Sequence, residues 1–209
     1  MPDGSALLLF LGATLALNLT PGPDMLYVVA RSIGEGRAAG VASALGIAAG
    51  CLVHTLLVSL GLAQLLLAVP AAYDAVRLAG AAYLVYLGVR AIVSRPAENG
   101  AAVPKRASLG AIFRQGVVTN ILNPKVALFF LAFLPQFVDA SRGSVAGQML
   151  ILGVLFNVSG TLVNLGVGWA ASGAGRWTAG RLAPSPLFQR LTGGVFIALG
   201  LRIAIAGRR

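Results

Sequence analysis

Charged residues leave three long gaps in this chain: Gly4 to Pro23, Ala38 to Tyr73 and Gly143 to Gly175 carry none. Three further stretches, Tyr73 to Val93, Ser108 to Val138 and Leu187 to Ala206, are apolar with only sparse charges. A helix crossing the hydrocarbon core needs about 20 apolar residues at 1.5 Å rise each, so the pattern predicts six spans, at 4–30, 40–66, 73–93, 108–138, 144–172 and 187–206. Runs of Ala, Leu and Gly without a two-residue polar alternation favour helices over a barrel, because each spanning segment must satisfy its own backbone. The expectation is an all-α integral membrane protein with six transmembrane helices.

Composition agrees. Of 209 residues, 57% are hydrophobic and 11% charged, with a mean hydropathy of +0.86, which leaves too little polar surface for a soluble domain of this size. The net charge of +10 raises nucleic acid as a partner, but the basic residues are spread over loop ends and no aromatic residues interleave with them. They read better as a topology signal. Loops 1–2 (Arg31, Arg37), 3–4 (Arg90, Arg95, Lys105, Arg106, Arg114) and 5–6 (Arg176, Arg181, Arg190) hold ten, against five in the other loops and termini. That asymmetry puts both termini outside. Residues 1–4 lack Lys and Arg, and the first apolar stretch exceeds a signal-peptide core, so it reads as a retained span. Cys51 is the sole cysteine, which excludes an intrachain disulfide and makes it a small packing residue.

The two halves resemble each other. Asn18-Leu-Thr-Pro21-Gly22-Pro23-Asp24 in span 1 and Asn120-Ile-Leu-Asn123-Pro124-Lys125 in span 4 align at an offset of 103 when Pro21 is set on Pro124. The same offset sets His54 on Asn157 and Gly50 on Gly153, and Leu78–Arg90 matches Leu191–Arg202 with one gap. Three helices are thus duplicated, as repeat 1 (4–94) and repeat 2 (108–206) joined by a polar linker (95–107) in a single transporter domain. An odd number of crossings inverts the second repeat, and inverted repeats build secondary transporters.

Proline inside a helix removes a donor and clashes with the preceding turn, so Pro21-Gly22-Pro23 should break span 1 and Pro124 should break span 4. Unpaired backbone is costly in hydrocarbon unless it lines a cavity, and two related breaks mark a polar site. Asn123 reads as an N-cap with Pro124 as the first helical residue, which would present backbone donors to an anion. Lys125 and Asp24 add opposite charges, a combination suited to the carboxylate and ammonium of an α-amino acid. The alternative is an ion pair that only ties the halves together. His54, the sole histidine, is a candidate for proton coupling or a packed, hydrogen-bonded side chain; its partner by offset, Asn157, cannot titrate. Gly46-Ile-Ala-Ala-Gly50 offers a small-residue face for close helix packing, and a homo-oligomer is left open.

With a Pro-Gly-Pro break in the first span, an Asn-Pro-Lys break in the fourth, six apolar spans and about 200 residues, the chain resembles the LysE/RhtB family of amino-acid exporters over essentially its whole length. The resemblance implies a bacterial inner-membrane secondary carrier driven by the proton gradient. It carries site roles to Pro21, Gly22, Pro23 and Asp24, and to Asn120, Asn123, Pro124 and Lys125. The RhtB branch, associated with homoserine and threonine, is the better match, since exporters of lysine and arginine tend to have an acidic residue in span 2, where this chain has His54. Asp24 is the only acid well inside a span, so a neutral substrate is expected. Two rivals remain at this stage: an exporter of a cation or metal of similar topology, although soft and carboxylate ligands are scarce, and a membrane-embedded enzyme, although no HExxH or GxSxG motif is present. No cofactor is called for.

Overall fold

In a computed structural model, the described residues are 4–62, 70–93 and 107–174, with isolated helical positions between 190 and 205. The main helices are α1 (Gly4–Leu19), α2 (Pro23–Glu35), α3 (Arg37–Leu57), α4 (Pro70–Val93), α5 (Leu109–Ile121), α6 (Pro124–Leu128) and α7 (Val145–Ala174). A π-helical turn, Val58–Leu62, extends α3. Another, Phe129–Phe133, followed by the 3-10 turn Leu134–Phe137, extends α6.

Among the described residues, two helices are long and apolar enough to cross a membrane alone, Arg37–Gly61 and Val145–Gly173. Two more crossings come from bent pairs, α1 with α2 at 48° and α5 with Pro124–Phe137 at 46°. These four match spans 2, 5, 1 and 4. At the position of span 3, α4 has spanning length, 24 residues, but is not among the four. The linker 95–107, apart from Ala107, and most of span 6 lie outside the described residues.

Helices apolar on every side belong in lipid, and here each turns one stripe inward. In α1 the buried positions are Phe10, Ala13, Thr14 and Leu17, spaced as one helical face, while Leu8 is 73% exposed. In α7, Leu162 and Trp169 are exposed in the same way. The inward stripes meet at small residues, as the Gly46–Gly50 spacing implied. A Cβ on Gly46 would lie 2.2 Å from the Phe113 carbonyl oxygen, and one on Gly116 would lie 2.9 Å from that of Ser43. α3 and α5 therefore cross with their backbones in contact. Gly40 of α3 and Gly168 of α7 also face each other, a Cβ on either lying 3.8 Å from the Cα of the other.

An aromatic cluster fills one end of the bundle. Phe10 packs on Phe129, Phe133 and Phe137, with ring centroids 5.3–6.4 Å apart, and Phe129 and Phe130 continue it to Phe156 at 4.9 and 5.1 Å. Towards the other end a polar network ties α2 to α5. Arg31 pairs with Glu35 and donates to Gln115 Oε1 at 2.6 Å, and the Tyr27 hydroxyl donates to the Ile112 carbonyl at 2.8 Å. Glu35 also accepts from the Ala107 backbone amide at 2.7 Å.

Candidate substrate site

Both helix breaks fall where the prolines put them. α1 ends at Leu19 and α2 restarts with Pro23 as its first helical residue, while α5 ends at Ile121 and α6 restarts with Pro124. By cap position Pro23 therefore corresponds to Pro124, Gly22 to Asn123 and Asp24 to Lys125. This is an offset of 101, in place of the 103 that aligns Pro21 with Pro124.

The two restarts differ in one chemically decisive way. Asn123 caps α6 as expected, its Oδ1 accepting from the Lys125 amide at 3.0 Å. Its carbonyl accepts from Val126 at 3.2 Å and Ala127 at 3.0 Å, and Pro124 has no amide hydrogen. The first amides of α6 are thus already partnered, and the expectation that they would face an anion is corrected. α2 is the open terminus: its cap, Gly22, makes no side-chain hydrogen bond, and both Asp24 and Met25 of its first turn line the cavity.

The charges are also arranged differently from a simple brace. Lys125 Nζ donates to the Thr20 carbonyl at 2.6 Å, placing a cation at the C-terminal end of α1, where the helix dipole favours it. Asp24 sits in the first turn of α2, where the dipole favours an anion, and its Oδ2 accepts from Asn120 Nδ2 at 2.8 Å. Lys125 and His54 are titratable groups that act on it electrostatically. No salt bridge joins Asp24 to Lys125 among the described residues. Gly22 lies close against the lysine, since a Cβ there would meet Lys125 Cδ at 3.2 Å and Nζ at 3.3 Å.

Between the breaks and α7 lies a small cavity that opens on one side. Of the residues singled out from sequence, Gly22, Asp24, Asn120, Asn123, Lys125 and Asn157 line it. Pro21, Pro23 and Pro124 do not; they shape the breaks. His54 stands one layer behind. Its Nε2 lies 3.1 Å from the Asn120 carbonyl, which can only accept, so that nitrogen carries a hydrogen. The ring rests near Phe130, at 5.9 Å between centroids. Asn157 braces α7 to α3 by donating to the Ala48 carbonyl at 3.2 Å.

Four polar lining residues escaped the sequence reading: Asn18, Thr20, Thr161 and Asn164. On α7, Asn157, Thr161 and Asn164 follow i, i+4, i+7 spacing, and this was the available signal. Asn18 donates to Ser159 Oγ at 3.0 Å and stands against Gly160, where a Cβ would come within 3.2 Å of it.

Three groups in this cavity are only partly engaged. Asp24 Oδ1 and Asn120 Oδ1 are buried without hydrogen-bond partners. An ammonium has three donors, and one of those on Lys125 is taken by Thr20. Asp24 is the only carboxylate among the lining residues. Among the described residues, no group of three or more His, Cys, Asp or Glu is placed to hold a metal ion.

Comparison with known proteins gives the same direction. The chain is 30% identical over 197 residues to the homoserine/homoserine lactone efflux protein of Salmonella typhimurium, covering 94% of this chain and 95% of the relative. It is 31% identical over 150 residues to the leucine efflux protein of Salmonella choleraesuis, covering 71% of each. It is 28% identical over 211 residues to the uncharacterized membrane protein YrhP of Bacillus subtilis, covering 96% and 99%. No solved structure matches. The model of the LysE type translocators matches residues 15–207. This is a family of transport proteins, not of enzymes, and the chain belongs to it.

Proposed function

We propose that the protein is a secondary-active exporter of neutral α-amino acids in a bacterial inner membrane, working by alternating access and coupled to protons. Six spans would be arranged as two inverted three-helix repeats, with both termini outside. The observation that carries the reading is the set of partly engaged groups between the two breaks. A substrate ammonium fits the Asp24 carboxylate, whose Oδ1 has no hydrogen-bond partner, and a substrate carboxylate fits the remaining donors of Lys125 and the uncapped start of α2. Buried polar groups without partners cost about 1–3 kcal/mol each, so a ligand supplying them gains affinity. A second cation on the substrate would have no carboxylate to meet. The names of the relatives, efflux proteins for homoserine and for leucine, support neutral cargo.

Alternating access requires a closure on each side of the site. The aromatic cluster reaching Phe156 and the Tyr27–Arg31–Gln115 network are suited to that part, since the first is apolar packing and the second a set of hydrogen bonds, each able to open separately. His54 enters through the Asn120 carbonyl: a change in its protonation acts on the residue that also holds Asp24. The test is efflux from cells or everted vesicles loaded with a labelled amino-acid panel, with and without a proton gradient. Gradient-dependent export of threonine, homoserine or leucine supports the reading. Lysine or arginine efflux matching that of threonine would overturn the neutral assignment.

A further inference from the structure

Asparagine inside a membrane helix normally earns its place as interhelical glue, and two of those at this site do so: Asn157 bonds the Ala48 carbonyl and Asn18 bonds Ser159. Asn164 does not. It is 8% exposed, it lines the cavity, and its amide makes no hydrogen bond to another described residue. An amide carries two donors and an acceptor of two lone pairs, and burying it without partners is unfavourable. Its neighbour on the stripe, Thr161, is satisfied within α7 by Asn157 Oδ1 at 3.4 Å, and the outward face of the same helix is apolar, as at Val158 and Leu162. The helix therefore brings a polar residue inward at a level where no other described helix bonds it.

The charged groups that suit a zwitterion come from the breaks, on α2 and the α5–α6 junction. Asn164 comes from α7, on another wall of the same cavity. We infer that Asn164 forms a side-chain subsite that selects amino acids carrying a hydroxyl or other small hydrogen-bonding group over apolar isosteres. The inference rests on the exporter reading above and adds to it the residue that reads the side chain. The amide's pairing of donors with an acceptor lets it meet a hydroxyl in either sense, whereas a methyl group in the same place leaves it buried and unpaired.

Threonine and valine are the fitting probe pair, since they share a shape and differ by a hydroxyl for a methyl. The measurement is the threonine-to-valine ratio of initial efflux rates at subsaturating load, for the wild-type chain, Asn164→Leu and Asn164→Ser, with membrane content determined for each. The wild-type chain is expected to prefer threonine. Asn164→Leu should lower the ratio about 3- to 10-fold, the range of one hydrogen bond, with valine efflux retained. Asn164→Ser, which removes reach without adding apolar volume, should lower it in the same direction and decides the matter if the leucine variant does not reach the membrane. An unchanged ratio in the variants, or no wild-type preference for threonine, overturns the subsite and leaves the exporter reading intact. Equal loss of both fluxes at normal membrane content also overturns it. Absence of efflux for every amino acid in the wild-type chain overturns the exporter reading and the subsite together.

Discussion

Replacing Gly46 by alanine places a methyl group into the α3–α5 crossing. Its Cβ would stand 2.2 Å from the Phe113 carbonyl oxygen and 2.9 Å from the carbonyl carbon. Ordinary contact begins near 3.4 Å, so the backbone of α5 must retreat by about 1.2 Å, and backbone cannot swing aside as a side chain can. Overpacking of this kind costs roughly 1–3 kcal/mol, with the high end expected for a carbonyl. The gain in helix propensity from glycine to alanine, about 1 kcal/mol, offsets part of it. The expected net loss is about 2 kcal/mol, or a fall in Tm of about 4–8 °C for a chain of this size, read by thermal unfolding in detergent. The displacement also reaches the site, since the last turn of α5 carries Asn120, whose carbonyl lies 3.1 Å from His54 Nε2; transport should fall by more than the lost stability explains. Gly166→Ala is the control, because nothing lies within 4 Å of its added Cβ, and it should be neutral or slightly stabilising. If Gly46→Ala unfolds at the wild-type temperature, or no lower than Gly166→Ala, the backbone contact is not what holds these helices together.

Asp24→Asn and Lys125→Met should each lower efflux at least about tenfold, equivalent to 1.4 kcal/mol, and the double variant should not recover it, because the two side chains engage different partners; recovery would reduce the pair to a brace. Arg31→Met removes one charged hydrogen-bond donor from the buried Glu35 carboxylate, both side chains being 7% exposed, and should cost about 1.5–3 kcal/mol in thermal unfolding, with part of it regained in Arg31→Met/Glu35→Gln; a cost below about 1 kcal/mol would contradict the network's role. His54→Asn keeps a donor in place of the ring but has no second ring nitrogen to take up a proton, so gradient-driven efflux should fall while exchange without a gradient persists. Unchanged gradient-driven efflux would remove His54 from coupling.

The positions of the breaks were legible because proline acts locally: its missing amide and fixed backbone angle decide where α2 and α6 begin whatever surrounds them. The Asn123 cap was legible for the same reason. What the site would do with those breaks was not, because it depends on which donors are already used. Asn123 turns its own side chain and carbonyl onto the first amides of α6, and this reverses which half-helix is open. Lys125 and Asp24 likewise look like partners along the chain, yet in space each is claimed by a group on the other half of the chain, Thr20 and Asn120. Asn164 was hidden in an apolar run, where a polar residue seven positions from Asn157 gains meaning only once α7 is seen to turn that stripe toward a cavity. The π-helical stretch after α6 had no local signal; it follows the packing of Phe129, Phe130 and Phe133 against Phe10 and Phe156.

The bond from Lys125 to the Thr20 carbonyl means that the site is completed only across the two halves of the chain. The carbonyl at the end of α1 is met by an ammonium from the second half, whereas the cap-equivalent position in the first half is Asp24. A chain cut within the linker should therefore regain a working site only when both pieces are made together, and two copies of the first piece should not substitute for the pair. Opposite charges at the cap-equivalent positions Asp24 and Lys125, each bonded to a residue of the other half, make the two halves of the chain complements rather than copies.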